Sequence, residues 1–188
     1  MDTQVRLLDL AEAAMRRHGY GGFSYADIAR DAGIRKASIH HHFPAKSDLG
    51  LAVLDRYSDR HLTMLADVRI TSRLGGQALT RAIEFYRDAM GTGDDLCLLT
   101  ALANDANALS PAMRDMLARA TLATANCFEE LLLTGRKDMS ISVAGDPAVE
   151  ATSILALLNG AQLLARAARD ITMFDRAIQP IQTRISRR

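Results

Sequence analysis

Residues 23–49 read FSYADIARDAGIRKASIHHHFPAKSDL. Ser24 stands where a helix N-cap belongs, Asp27 follows three positions on as an imperfect capping-box partner, and Phe23 with Ile28 fit a hydrophobic staple. The helix these signals open is short, about Tyr25 to Ala32, because Gly33 breaks it. A second short helix runs from about Lys36 to His42 and stops ahead of Pro44. Two such helices joined by a tight turn at Gly33-Ile34 have the proportions of a helix-turn-helix.

Helical spacing sorts the second of these helices by face. Ile39 and Phe43, four residues apart, point inward with Ile34. Ala37 and His41 lie opposite, Ser38 and His40 flank them, and Lys36 sits at the exposed start. From Ile34 to Lys46 there are three cations, three histidines and no carboxylate, although the chain as a whole carries a formal charge of only +1. The positive balance absent overall is concentrated here, which is the electrostatic footprint of a nucleic-acid reader. Taken alone, a basic helix face is more often simply solvated. A metal site is disfavoured by geometry, since successive helical side chains diverge by about 100° and three consecutive histidines cannot close on one ion.

The continuous stretch Phe23–Leu49, with its Gly33 turn and its close on His42-Phe43-x-x-Lys46, resembles the DNA-binding signature of the TetR family of repressors. The resemblance covers about the first fifty residues; the remainder agrees in helix count and length. It implies an all-α fold: an N-terminal three-helix helix-turn-helix domain, here 1–48, and a C-terminal helical effector-binding and dimerisation domain, 49–188. It implies that Lys36, Ala37 and His41 face base edges. Ser24, Tyr25, Ser38, His40 and Lys46 would hold phosphates, Lys46 partly through the start of its helix. The function implied is that of a repressor, a homodimer on double-stranded operator DNA that a small-molecule effector releases. Two positions depart from the pattern. His40 replaces the usual tyrosine, so a phosphate contact there depends on protonation, and Ala45 replaces a side-chain cap, leaving the next helix start weakly capped.

Outside this stretch helical periodicity continues. A first helix spans about Thr3 to His18 and ends at Gly19. A long one begins near Lys46. Others run from Gly75-Gly76 to about Met90, Leu96 to Leu109, Pro111 to about Leu133, Pro147 to Arg169, and about Thr172 to Ile185. Met139–Val143 alternates like a strand but is short and solitary, and is read as a loop. No apolar run approaches the ~20 residues that span a bilayer, and the N-terminus mixes charged and apolar residues unlike a signal peptide. Cys97 and Cys127 lack metal or disulfide spacing and suit a reducing cytoplasm. No nucleophile–base set, phosphate loop, metal pair or cofactor motif appears, so an enzyme is not expected.

The helix near the C-terminus carries Leu155, Leu158, Leu163 and Leu164 among small residues, and the last presents Phe174, Ile178, Ile181 and Ile185 at steps of three or four. Read alone, these stripes fit a pairing inside one subunit as well as a dimer interface. With the resemblance, and because one short helix reads too little sequence, Leu155, Leu163, Phe174, Ile178 and Ile181 are expected at a dimer interface. Polar residues among apolar ones, Thr100, Asn104, Thr121, Asn126 and Asn159, are candidates to line an effector pocket. Cys97, expected at a helix start, lies in a segment similar to one in thiol-sensing TetR repressors. Asp94 and Asp95 oppose thiolate formation there, and a cysteine in apolar company is usually inert packing. An activator, or a regulator answering to a protein partner, is the rival class.

Overall fold

The computed structural model describes residues 2–186. In chain order the elements are α1 Thr3–His18, α2 Tyr25–Ala32, α3 Lys36–His42, α4 Lys46–Thr71, α5 Gly75–Asp88 and α6 Leu98–Asn104. A 3-10 turn Ala106–Ala108, α7 Pro111–Lys137, α8 Pro147–Ala168 and α9 Thr172–Gln182 complete it. The fold is all-α. The chain divides into two compact units, with the divisions after Asp59, Cys97 and Ala120. The first holds the chain up to Asp59 and Leu98–Ala120; the second holds the rest.

In the first unit α1 is capped by Asp2, whose carboxylate accepts from the Gln4 N–H at 3.0 Å, and buries Leu7, Ala11 and Met15 at four-residue steps. Glu12 on the same side is buried as well and receives Arg56 of α4 at 3.1 Å, with Asp9 at 2.8 Å from the same nitrogen. α6 packs on α1. Asp105, just beyond α6, accepts the Gly21 N–H at 3.3 Å, tying the turn after α1 to this segment. The expected helix Leu96–Leu109 is therefore much shorter: α6 ends at Asn104 and a separate 3-10 turn follows.

In the second unit α9 folds back along α8 and buries Phe174, Ile178 and Ile181. Arg169 makes the turn in the left-handed region, φ 52°. Arg87 of α5 holds Asp175 of α9 through both carboxylate oxygens, at 2.6 and 2.9 Å. The N-terminus of α5 is capped from the loop after α7, where the Asp138 carboxylate takes the Gly75 N–H and the Ser140 hydroxyl takes that of Gly76, both at 2.7 Å. α9 stops at Gln182, three residues short of Ile185. Ile185 instead pairs with Ile141 in an isolated antiparallel bridge, flanked by hydrogen bonds from Ser142 to Arg184 and Ser186 to Ser140. The 139–143 segment is thus a loop that borrows one extended partner.

Among the described residues one helix, α8, is long and apolar enough to cross a membrane by length and composition, a feature not apparent from single apolar runs. Gln162 in its interior is fully buried and hydrogen-bonded to backbone on both ends of its amide.

Candidate nucleic-acid interface

The reading head is built from α2, α3 and the start of α4. Ser24 and Asp27 form a complete reciprocal capping box, so aspartate at the third position serves as well as glutamate would. Gly33 adopts φ 67° and its N–H returns to Ala29 and Arg30, which turns the chain within one residue. α3 then buries Ile39, with Phe43 just past its end, while Lys36, Ala37, Ser38, His40, His41 and His42 are all exposed. Five of the eight residues expected at DNA, Lys36, Ala37, Ser38, His40 and His41, therefore share one solvent-facing helix surface with no acidic side chain. Ser24 is exposed at the head of α2, its hydroxyl engaged with Asp27.

Tyr25 and Lys46 are placed otherwise. The Tyr25 side chain is buried and its hydroxyl donates to the carbonyls of Phe43 at 2.9 Å and Ala45 at 2.6 Å. Burial first, then the Asp48 carboxylate, push the phenol up to about 12, so it stays neutral. Lys46 is half-buried. Its ammonium donates to the Phe23 carbonyl at 2.6 Å and lies over the Phe23 and Tyr20 rings, 4.2 and 4.8 Å from their centroids. Burial lowers its pKa, with Asp105 and Asp27 opposing. Both residues brace the α2–α4 corner instead of projecting from it. Sequence alone could not distinguish a cation at a helix start from one folded back onto two aromatic rings. Ala45 is also better served than expected, because Asp48 accepts its N–H at 2.9 Å from inside α4.

Away from the head, the polar residues proposed for an effector pocket scatter. Thr100 is buried but belongs with the first unit; Asn104, Thr121 and Asn126 are exposed; Asn159 is half-buried. The buried polar side chains of the second unit are His61, Thr124, Ser140 and Gln162. Two of them, His61 and Gln162, form a chain with Tyr86 and Cys97. His61 Nε2 meets the Tyr86 hydroxyl at 3.2 Å; the Gln162 amide donates to the Tyr86 carbonyl at 2.7 Å and accepts the Cys97 N–H at 3.0 Å. Phe85, Tyr86 and Phe128 pack around His61 and one another. Burial drives His61 down to about 4, so it is a neutral imidazole near neutral pH. None of these positions carries a local sequence signal, because a lone polar residue in an apolar helix looks the same whether exposed or interior.

Cys97 stands directly before Leu98, the first residue of α6, and only 2% of it is exposed, so the thiol expected at a helix start is enclosed. Cys127 is half-buried, and burial, with Glu130 adding, pushes its thiol up. Among the described residues no group of His, Cys, Asp or Glu is placed to hold a metal.

The family profile "Bacterial regulatory proteins, tetR family" matches residues 7–53, and "Tetracyclin repressor-like, C-terminal domain" matches residues 77–181, more than half the chain. The chain belongs to the TetR family. It is a DNA-binding transcriptional regulator of that family. The HTH-type transcriptional repressor NemR of Escherichia coli strain K12 is 24% identical over 191 residues, covering 98% of this chain and 94% of the relative. CymR of Pseudomonas putida, an HTH-type transcriptional regulator, is 32% identical over 123 residues, 63% of this chain and 58% of its own. Among solved structures, a TetR-family regulator from Agrobacterium tumefaciens superposes with TM-score 0.93 at 27% identity, covering 98% of this chain and 97% of that one. The reduced form of E. coli NemR superposes at 0.82 with 23% identity, covering 98% of each chain. These TetR relatives are named as regulators, a non-enzymatic role.

Proposed function

We propose that this TetR-family protein is a one-component repressor acting in the cytoplasm as a homodimer, each subunit laying α3 in the major groove of one operator half-site. The observation that carries this reading is the acid-free exposed face of α3, with Lys36, Ala37, Ser38, His40 and His41 side by side on a helix fixed from behind by Ile39 and Tyr25. Ala37 lets the groove floor approach, Lys36 and His41 offer donors to base edges, and Ser38 and His40 offer donors to phosphates, while Ser24 would reach one only by giving up its hydrogen bond to Asp27. One seven-residue helix reads too little sequence for specificity, which a dimer corrects by reading two half-sites about one DNA turn apart.

For the dimer, α8 offers the surface. Phe174, Ile178 and Ile181 are buried within the subunit and Leu155 nearly so, hence they shape the interface from behind. Val149, Leu163 and Leu164 remain 62%, 44% and 52% exposed, with Ala156 and Gly160 on the same side, where small side chains permit close helix approach.

The effector, a small molecule, acts in the second unit, where the His61–Tyr86–Gln162–Cys97 chain links buried polar groups across the interior. A ligand that competes for Gln162 would release the backbone at Cys97, one residue before α6, which packs on α1 of the head. α4, running through both units, is the second route. A thiol-based reading is favoured by one observation, that a relative has been solved in a form designated reduced. In that case Cys97→Ser abolishes the response to an electrophile while Cys127→Ser retains it. Selection of bound duplexes from a random pool tests the whole reading: a two-fold symmetric motif is expected, and failure to enrich any sequence overturns it.

A further inference from the structure

We propose that His40 is a proton-dependent phosphate ligand, so that this protein takes up a proton when it binds DNA and binds more tightly as pH falls through the neutral range. The inference rests on the operator-binding reading above and adds to it the chemical state in which one contact works. His40 Nδ1 lies 3.0 Å from the carbonyl oxygen of Pro44. A carbonyl only accepts, so Nδ1 carries the hydrogen and donates. In the neutral ring Nε2 then holds a lone pair, which repels a phosphate oxygen. Protonation places a hydrogen on Nε2 and a charge on the ring, turning the same exposed edge into a charge-assisted donor.

The surroundings leave that edge available. The ring meets Tyr25 of α2 edge-on, with centroids 4.9 Å apart, and the Tyr25 phenol is neutral and occupied by the Phe43 and Ala45 carbonyls. On α3 the neighbouring charges are Lys36, one turn earlier, and the imidazoles of His41 and His42. On α4 Asp48 is engaged with the Ala45 N–H and Lys46 with the Phe23 carbonyl. On α2 Asp27 and Asp31 both pair with Arg30. No carboxylate lies between Gly33 and Ala45 to satisfy the imidazolium in the free protein, whereas DNA supplies a phosphate. His40 also sits in the last turn of α3, where the helix dipole favours a cation.

The test uses the full chain and a duplex recovered by selection near pH 6. Between about pH 6 and pH 8, where a histidine side chain ordinarily changes charge, binding should weaken with a slope approaching tenfold per pH unit, the signature of one proton taken up. The salt dependence should steepen by about 0.9 in its logarithmic slope at the lower pH, as expected for one more neutralised phosphate. His40→Asn keeps an N–H for the Pro44 carbonyl but cannot titrate, so its binding should be flat in pH while His41→Asn and His42→Asn retain the slope. Circular dichroism confirms that each variant is folded, and nitrogen chemical shifts should show the Nδ1–H tautomer in wild type. Wild-type binding that is indifferent to pH overturns the inference and leaves the repressor reading standing. A slope that survives in His40→Asn and disappears in His41→Asn or His42→Asn overturns the assignment to His40. Absence of DNA binding at every pH overturns the reading on which the inference rests.

Discussion

Acidification should destabilise this protein through one residue, His61, by an amount the structure allows to be worked out. The imidazole is 2% exposed, surrounded by the Phe85 and Tyr86 rings, and burial moves its pKa from 6.5 to about 4. In the unfolded chain it titrates near 6.5. Above that value His61 is neutral in both states and contributes no pH dependence to stability. Between 6.5 and about 4 the unfolded chain binds a proton that the folded one refuses, so stability falls as pH falls, and below about 4 the loss is complete. At ~1.4 kcal/mol per pKa unit the full loss is about 3 kcal/mol, and roughly 2 kcal/mol of it has occurred by pH 5. That is a large share of the ~5–15 kcal/mol that holds a typical domain together. The assay is urea unfolding at fixed protein concentration, at pH 7.5 and pH 5, on wild type and His61→Gln. His18, His40, His41 and His42 are exposed, and the carboxylates are common to both proteins, so the difference between the two pH slopes isolates His61. His61→Gln should be less stable than wild type at pH 7.5, with the gap narrowing by about 2 kcal/mol at pH 5. Equal slopes in the two proteins, or a His61 resonance titrating near 6.5 in the folded state, would refute the reasoning.

Lys36→Ala should weaken operator binding and relax base preference at one position by about 1–3 kcal/mol, read by competition among duplexes that differ there. Lys46→Ala should instead lower the stability of the head, because its ammonium bridges the Phe23 carbonyl and two rings; thermal unfolding separates the two effects. Leu163→Glu with Leu164→Glu, on the exposed side of α8, should give folded monomers by light scattering, and a persisting dimer would move the interface elsewhere. Gly75→Ala should cost more than about 2 kcal/mol, since an added Cβ would stand 2.2–2.9 Å from the backbone of Thr134 and Gly135, which cannot move aside as a side chain would. A variant as stable as wild type in urea would show that α5 and the end of α7 separate easily.

The sequence by itself determined the elements and the reading head. Caps and breakers are local: Ser24 with Asp27, Gly33 and Pro147 act within one turn of the backbone, so α2 begins and ends, and α8 begins, where these residues indicate. The exposed face of α3 was equally legible, because Ile39 and Phe43 fix which side turns inward. Even there, two side chains were decided elsewhere. Tyr25 and Lys46 fold back onto carbonyls and rings 18 to 26 residues away, an outcome set by which partners the corner brings within reach. The C-terminal stripes show the same limit. Periodicity marks Phe174, Ile178 and Ile181 as apolar, but whether an apolar stripe faces its own α8 or a second subunit depends on how the helices pair. The buried polar chain His61–Tyr86–Gln162–Cys97 was invisible beforehand. Its members are separated by up to 101 positions, and only folding brings the His61 Nε2, Tyr86, Gln162 and Cys97 groups within hydrogen-bond reach of one another. Local backbone chemistry is written in adjacent residues; the pairing of distant polar groups is settled only when the helices pack.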